Sequence, residues 1–436
     1  MKRFLAIIAL LATVAAPLLA ADQSAKPNIL FILTDDTGIE GYGCYGSDRF
    51  KGRTPNIDAL ARSGVRFERC YSAPLCGPTR CQLMTGRYGF RTGGVNNQAA
   101  HSPSIKDEPS LAKTLKQAGY ATGMAGKWRQ MGESPGSWGF DDFVTDNVAG
   151  GWYWKSNYIK NDQTVQTDKE VYCPDVCRDF ALDFIRRNQD KPFYLYYPTH
   201  LVHGPILRTP DSKRGGNLYD ENVAYLDKQV GQLVAELEKL GLRERTLIIF
   251  SADNGTARQS GTIGGREING HKGTMMEGGA LVPLIANWRG VTRAGTVLKD
   301  LVDFSDLFPT FAEVAGAKMP ADAKLDGRSF APQLRGEKGS PREWIFVQLG
   351  AKWYTRNDGW KLTQAGELYD MSDAPFVEKL VSPTGQSDAA KAARGKLQAV
   401  LDELNPTSGK TDTWQPRRPA RQLRKQQRRA TATQSI

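Results

Sequence analysis

The segment 28–36 reads NILFILTDD, an apolar run that ends in two adjacent acids. A short apolar run of this kind is typical of a strand buried on both faces of a parallel sheet. Further strand-like runs alternate with helical patterns along the chain: 55–63 (helix), 111–118 (helix), 193–197 (strand), 217–240 (helix), 246–251 (strand), 282–287 (strand) and 301–315 (helix). This alternation predicts an α/β domain with a large mixed, mostly parallel sheet flanked by helices.

The pattern changes after about residue 340. Short strand-like segments occur at 344–348, 353–357, 360–364 and 368–370, and a helical pattern follows at 389–404. We expect a smaller C-terminal subdomain made of an antiparallel sheet with one helix packed on it. The predicted organisation is an α/β domain at 22–340, this subdomain at 341–405 and a tail at 406–436.

Residues 1–21 have the pattern of a secretory signal peptide, with two basic residues, an apolar run and small residues at its end. The pattern predicts export to the periplasm or the extracellular space. No later apolar run is long enough to cross a bilayer, so we expect no membrane span. Export makes disulfides chemically possible among the six cysteines, and a local bridge between Cys173 and Cys177 is one option. The sequence does not decide the pairing.

The net charge of +11 is concentrated at the two ends of the chain. Seven basic residues and no acidic ones lie in 416–436, and without these and the two basic residues of the leader the net charge falls to +2. A nearly neutral body does not predict a nucleic-acid partner. We expect the basic segment to be a disordered, solvated tail, with adhesion to an anionic polymer as the alternative.

Polar side chains follow three of the predicted strands: Asp35 and Asp36, His200 and His203, Asp253 and Asn254. The carboxyl ends of parallel strands meet at one edge of a sheet, where ligands bind in α/β folds. Carboxylate and amide oxygens suit a hard cation such as Ca²⁺ or Mg²⁺. The sequence therefore predicts a cation site at this edge.

A cysteine motif adds a second feature. The segment 72–86 reads SAPLCGPTRCQLMTG, and Pro78 is placed where a helix can begin, with Cys76 at its N-terminus. Backbone donors and the helix dipole favour an anion there, and Arg80 adds a positive charge one turn later. Thiolate sulfur is a poor ligand for a hard cation. A cysteine beside an oxygen-ligand site therefore points to chemical conversion of that cysteine.

The motif C-x-P-x-R followed by x-x-L-x-T-G-R resembles the signature of type I sulfatases, which belong to the alkaline phosphatase superfamily. The resemblance implies that a maturation enzyme oxidises Cys76 to formylglycine. It also implies that one hydroxyl of the hydrated aldehyde attacks sulfur and the other loses a proton to expel sulfate. Calcium, or alternatively magnesium, is the cofactor that the resemblance implies.

Other segments carry the same resemblance: T-P-N at 54–56, G-K-W at 126–128, the strand and histidines at 192–203, D-N-G at 253–255, K-G-T-x-x-E-G-G at 272–279 and E-L-Y-D at 367–370. By resemblance the site residues divide into three groups. The implied metal ligands are Asp35, Asp36, Asp253, Asn254 and the converted Cys76; the implied sulfate-binding residues are Arg80, Lys127 and Lys272; and the implied general acid is His203.

Two positions depart from the family pattern. Arg129 stands where the family places a histidine that hydrogen-bonds the formylglycine, and Leu281 stands where it places an arginine. Arginine stays protonated and accepts no hydrogen bond, so Arg129 does not serve as a base. We place Arg129 in the pocket with its role open.

We predict a sulfuric ester hydrolase that acts on a sulfated small molecule, such as an aryl sulfate, or on a sulfated carbohydrate. One alternative is a phosphoester or phosphonate ester hydrolase of the same superfamily. Two-metal phosphatases need more histidine ligands than the four histidines readily supply, which weighs against that alternative. The other alternative is a non-catalytic binder of sulfated polymers.

Overall fold

The protein is described by a computed structural model that covers residues 26–98, 102–129, 131–147, 153–268, 271–321 and 323–411. The predicted signal peptide at 1–21 and most of the predicted tail lie outside these ranges. The boundaries of the predicted domains stay predictions. No helix within the described ranges is both long enough and apolar enough to cross a membrane.

A ten-stranded mixed sheet forms the larger part of the molecule, in the order β12-β2-β11-β8-β1-β7-β3-β4-β5-β6. Its strands are β1 (Asn28–Thr34), β2 (Val65–Tyr71), β3 (Ala121–Ala125), β4 (Asp142–Asp146), β5 (Trp154–Lys160), β6 (Gln163–Tyr172), β7 (Phe193–Pro198), β8 (Thr246–Ala252), β11 (Leu281–Trp288) and β12 (Thr296–Asp303). A two-stranded ribbon consists of β9 (Thr262–Ile263) and β10 (Arg266–Glu267). The predicted mixed α/β sheet is confirmed.

The α-helices vary from single turns to six turns in length. Their bounds are α1 (Pro55–Arg62), α2 (Cys76–Thr85), α3 (Gly89–Thr92), α4 (Leu111–Gln117), α5 (Cys173–Arg187), α6 (Leu218–Lys239), α7 (Glu277–Ala280), α8 (Leu307–Val314), α9 (Ala331–Leu334) and α10 (Asp388–Leu404). Two large apolar clusters contain alternate side chains of β1, with Leu30 and Ile32 in one and Ile29 and Phe31 in the other. Because all four side chains are fully buried, each contributes about 1.5–3 kcal/mol to stability.

The region 301–315 differs from its prediction as one helix. Residues 301–303 instead complete β12, which pairs in parallel with β2, and only Leu307–Val314 is α-helical. Exposure alternates along the first half of β12, and its last three residues are buried. The boundary is marked by a capping box: the Asp303 side chain accepts from the Ser305 backbone, and the Asp306 side chain accepts from the Asp303 backbone. These polar residues begin a new helical turn after the strand, and the apolar residues on either side of them resemble one helical pattern in the sequence.

The predicted C-terminal subdomain contains a five-stranded antiparallel sheet and the helix α10. Its strands are β13 (Ile345–Leu349), β14 (Lys352–Arg356), β15 (Trp360–Thr363), β16 (Leu368–Asp370) and β17 (Lys379–Leu380). A buried polar network joins this sheet to the larger one. Arg356 pairs with Glu277 and lies 2.8 Å from the Tyr71 hydroxyl, which donates to Glu277 at 2.5 Å.

Replacing Arg356 by methionine is expected to lower the free energy of unfolding by about 3–5 kcal/mol, because it leaves a buried carboxylate without its cation. The side chains of Arg356 and Glu277 are only 2% and 1% exposed. The double variant R356M/E277M should recover part of the loss. Arg289→Met, which removes an arginine that is 49% exposed, should cost less than about 1 kcal/mol. Urea unfolding measures all three, and equal costs for R356M and R289M would contradict the prediction.

Candidate active site

The site lies where the central parallel strands end. Thr34, the last residue of β1, pairs with Ala252 at the end of β8, and Leu33 pairs with Pro198 at the end of β7. This register brings the residues after the three strands to one edge. Asp35 and Asp253, the first residues beyond β1 and β8, are both fully buried.

Three acidic residues and an amide converge at this edge. The Asp36 backbone, at a left-handed φ of 57°, donates to Asp253 Oδ1 at 3.2 Å. The Asn254 side-chain amide donates to Asp36 Oδ1 at 2.9 Å. Among the described residues, the buried Asp35 Oδ1 and Asn254 Oδ1 have no hydrogen-bond partner. Because such buried oxygens normally require a partner, this donor set fits a hard, oxygen-preferring cation.

Cys76 contacts the same cluster. The helix α2 begins at this residue, as predicted, and all ten residues of the helix are buried. Ligand atoms of Cys76, Asp35 and Asp253 lie within 4.8 Å of one another, and a second group of this kind consists of Asp35, Asp36 and His203. The Cys76 sulfur, a poor ligand for a hard cation, therefore lies among carboxylate oxygens, which are good ligands for such a cation.

Three basic side chains pair with the three acids. Arg80 Nη2 lies 2.7 Å from Asp253 Oδ2, and Lys127 Nζ lies 2.5 Å from Asp35 Oδ2. Lys272 Nζ pairs with Asp36 Oδ1. The three positive side chains, of which Arg80 and Lys127 are buried, balance the three negative ones and leave the site close to neutral. A divalent cation would make it positive and hence suited to an anionic substrate group.

The pKa values of the acids reflect this crowding. Burial raises the pKa of Asp35, but the surrounding cations, Lys127 foremost, outweigh it and hold that pKa well below its usual range. Burial and the charge of Asp35 raise the pKa of Asp253 to about 6. Burial likewise raises the pKa of Asp36, with the charge of Asp35 as the next contribution. The close negative charges of the three acids repel one another, and a bound cation would reduce this repulsion.

Two glycines permit the close approach of the loops that carry these residues. A Cβ at Gly126 would lie 2.1 Å from the Pro198 carbonyl oxygen, and Gly126 has a φ of 136°. The next residue, Lys127, donates its backbone N–H to that same carbonyl at 2.7 Å. A Cβ at Gly255 would lie 1.7 Å from the Gly278 carbonyl oxygen. Glycine is therefore required at both positions.

His203 lies at the open side of the cluster. Its Nε2 is 3.8 Å from Asp36 Oδ2, and its side chain is 20% exposed. Burial lowers the pKa of His203 to about 4. An anionic group bound beside the imidazole opposes this depression. The Tyr153 hydroxyl donates to the His203 carbonyl at 2.7 Å, so this fully buried tyrosine supports the histidine loop.

Arg129 belongs to a neighbouring polar network. Its Nη2 lies 2.6 Å from Asp146 Oδ2, and the other oxygen of Asp146 lies 3.0 Å from His200 Nε2. Burial raises the pKa of Asp146, but His200 and then Arg129 outweigh it and lower that pKa to about 2. The nine other predicted site residues are linked by ion pairs, hydrogen bonds or ligand-atom separations within 4.8 Å, and Arg129 pairs with Asp146. Asp146 has no motif around it, and sequence reasoning missed it as a site residue.

Leu281 and the six cysteines are two further features that the sequence singled out. Leu281, which stands where the family has an arginine, is the first residue of β11 and is buried. The nearby Glu277 pairs with an arginine from another part of the chain, Arg356. The six cysteines all lie in described ranges and all are free thiols in this structure.

Arg129→His is expected to keep or raise turnover of an aryl sulfate. A histidine can still donate to Asp146, and unlike arginine it can also exchange a proton near neutral pH. The kcat of the variant measures the effect, with Arg208→His, an exposed arginine, as the control. A collapse of kcat in R129H alone would mean that the arginine has an essential role in the reaction.

The fold and the site together define a class of enzyme. A group of buried acidic side chains beside a buried cysteine and three basic side chains, two of them buried, is suited to binding and hydrolysing an ester of a tetrahedral oxyanion. Comparison with known proteins gives the family. The Sulfatase family model matches residues 27–317, and the chain belongs to the sulfatase family of sulfuric ester hydrolases.

Curated relatives and solved structures agree with this assignment. The chain is 34% identical to N-acetylgalactosamine-6-sulfatase of Canis lupus familiaris, over 78% of this chain and 72% of the relative. It is also 34% identical to human arylsulfatase A, over 73% and 70% of the two chains. The crystal structure of Ps i-CgsB in complex with k-i-k-neocarrahexaose has a TM-score of 0.74 and 27% identity, and the match covers 89% of this chain and 94% of that one.

Proposed function

We propose that the protein removes sulfate from a sulfated carbohydrate, with a formylglycine made from Cys76 as the nucleophile at a calcium site. The observation that carries this proposal is the position of Cys76 Sγ within 4.8 Å of the ligand oxygens of Asp35 and Asp253. A thiol there has no evident use as a ligand, whereas an oxygen on the same carbon would match its neighbours.

The metal would be held by Asp35, Asp36, Asp253, Asn254 and the converted residue 76. The two buried side-chain oxygens without a hydrogen-bond partner support this ligand set. When bound, a divalent cation lowers the pKa of a ligated hydroxyl and offsets negative charge on sulfate oxygens. Magnesium remains the alternative, since both cations prefer oxygen ligands.

The chain's own residues supply the remaining chemistry. Hydrated formylglycine would provide one hydroxyl that attacks sulfur while the bond from sulfur to the alcohol oxygen breaks. Deprotonation of the second hydroxyl would break the bond from Cβ to the sulfate oxygen, which releases sulfate and restores the aldehyde. Arg80, Lys127 and Lys272 neutralise the sulfate oxygens from a site where water is largely excluded. His203, at the open side, is placed to protonate the alcohol oxygen as it leaves.

The relatives support a carbohydrate as the substrate class. One is named for N-acetylgalactosamine, and the structural neighbour was solved with a neocarrahexaose. Export through the leader at 1–21 would give the enzyme access to extracellular polysaccharides. The proposed partners are therefore a sulfated carbohydrate and the maturation enzyme that converts Cys76.

Intact-mass analysis of the Cys76 peptide after co-expression with a maturation enzyme tests the nucleophile. Release of inorganic sulfate from a panel of sulfated sugars, with aryl sulfate and phosphate esters alongside, tests the substrate class. We expect conversion of Cys76 and turnover of at least one sulfated sugar. Full activity with an unmodified cysteine would overturn the mechanism, and preference for phosphate esters would overturn the substrate assignment.

A further inference from the structure

A loop outside the recognised motifs also contacts the nucleophile position. The Asn97 side-chain amide donates from Nδ2 to Cys76 Sγ at 3.3 Å, and its Oδ1 accepts from the Gly77 backbone N–H at 2.9 Å. One amide thus binds both the reactive side chain and the backbone next to it. This double contact fixes where the amide hydrogens are directed.

The acceptor half of this contact has a clear physical origin. Gly77 is the second residue of α2, and the first four N–H groups of a helix have no partner within the helix. When Oδ1 of Asn97 accepts from Gly77, the planar amide must direct Nδ2 toward residue 76. The helix end therefore orients the amide, and the amide in turn contacts the nucleophile position.

The loop that carries Asn97 is held in place from two directions. The backbone of Gly350, just beyond β13, donates to the Val95 carbonyl at 2.8 Å. A Cβ at Gly94 would lie 2.7 Å from the Cβ of Cys81, so the loop packs closely on α2. Val95 and Asn96 are both 1% exposed. Asn97 itself is an exposed residue at the end of this anchored segment.

We propose that Asn97 is a positioning residue that fixes the rotamer of residue 76 and holds its reactive oxygen toward the metal and the substrate. The inference rests on the proposed function, because it concerns the converted side chain. Aldehyde and hydroxyl oxygens accept hydrogen bonds better than sulfur does, so the contact seen with Sγ strengthens after conversion. Asn97 acts through residue 76 and needs no contact with the substrate.

Three variants separate this role from simple helix capping. Asn97→Ala removes both hydrogen bonds. Asn97→Asp keeps an acceptor for Gly77 and places a favourable negative charge at the helix N-terminus, but it has no donor for residue 76. Gln98→Ala removes an exposed amide from the adjacent position and serves as the control. The converted fraction of each protein is measured by intact mass, and rates are expressed per converted enzyme.

We expect N97A and N97D to lose about two- to tenfold in kcat, the range that one hydrogen bond covers. Q98A should match the wild type. A second measurement uses no substrate: labelling of the residue 76 aldehyde by an aminooxy probe should be faster in N97A and N97D, because the side chain is released. The melting temperature of N97D should be at least that of the wild type.

Wild-type kcat and wild-type labelling in N97D would overturn the inference, since a capping role alone survives that substitution. If N97A does not fold, N97D decides the question. A wild-type protein that is fully converted but hydrolyses no sulfate ester would instead refute the proposed function. The labelling comparison would still report on Asn97 in that case.

Discussion

Cys76→Ala is expected to lower kcat/KM for sulfate esters by about 10⁴-fold or more, because alanine lacks the thiol and its methyl group cannot be converted into the proposed formylglycine nucleophile. The other groups around the position stay in place, including Arg80 and Lys127. They can still bind sulfate, so a small binding affinity for the product should remain. Release of inorganic sulfate from an aryl sulfate measures the loss.

The matched control is Cys81→Ala, which removes another buried thiol from the same helix. Cys81 is 1% exposed and packs near Met131, with its sulfur 3.8 Å from Sδ, and it belongs to neither group of candidate metal ligands. Both variants lose a similar apolar contact, and each is expected to cost about 1 kcal/mol in stability. Only C76A should lose activity. Equal activity in the two variants would contradict the assignment of Cys76 as the nucleophile.

Much of the fold could be predicted because its central strands are buried on both faces. Continuous apolar runs such as Asn28–Thr34 and Thr246–Ala252 can be recognised as buried strands from their residue types alone. The outer strands were harder to predict. Residues 154–172 form β5 and β6, which are polar and partly exposed and pair mainly with each other, so no apolar run marks them.

The residues of the candidate site also divide into those that could be predicted from the sequence and those that could not. The acids after β1 and β8 could be placed together, because the ends of neighbouring parallel strands share an edge. Asn97 and Asp146 could not be placed, since each reaches the site from a segment whose position depends on tertiary packing. The Asn97 loop is held by the Gly350 backbone N–H, which donates to the Val95 carbonyl from a distant part of the chain. A contact of that range leaves no local pattern in the sequence.

Asp253→Asn is expected to lower kcat/KM by about 10³-fold and to weaken calcium binding, because it removes the charge of a proposed metal ligand while keeping the shape of the side chain. The substitution has a second effect. Arg80, whose side chain is 3% exposed, loses its charged partner at 2.7 Å and keeps one carboxylate, Asp35 at 3.5 Å. Its hydrogen bonds to the Lys127 carbonyl and the Tyr196 hydroxyl do not replace the lost charge. A buried cation without a close partner lowers the stability of the fold. Arg80 would also be less well held to orient the sulfate.

Calcium titration of the melting temperature separates these two effects. Ligand that binds only the folded state stabilises it by about 2.7 kcal/mol at a concentration of 100 Kd, so the melting temperature of chelator-treated wild type should rise with calcium. In D253N the rise should begin at a calcium concentration about tenfold higher or more. Asp190→Asn, an exposed acid, should follow the wild type. If neither chelation nor calcium changes the activity or the melting temperature of the wild type, the metal assignment is wrong, because a cation held by buried carboxylates must contribute to both.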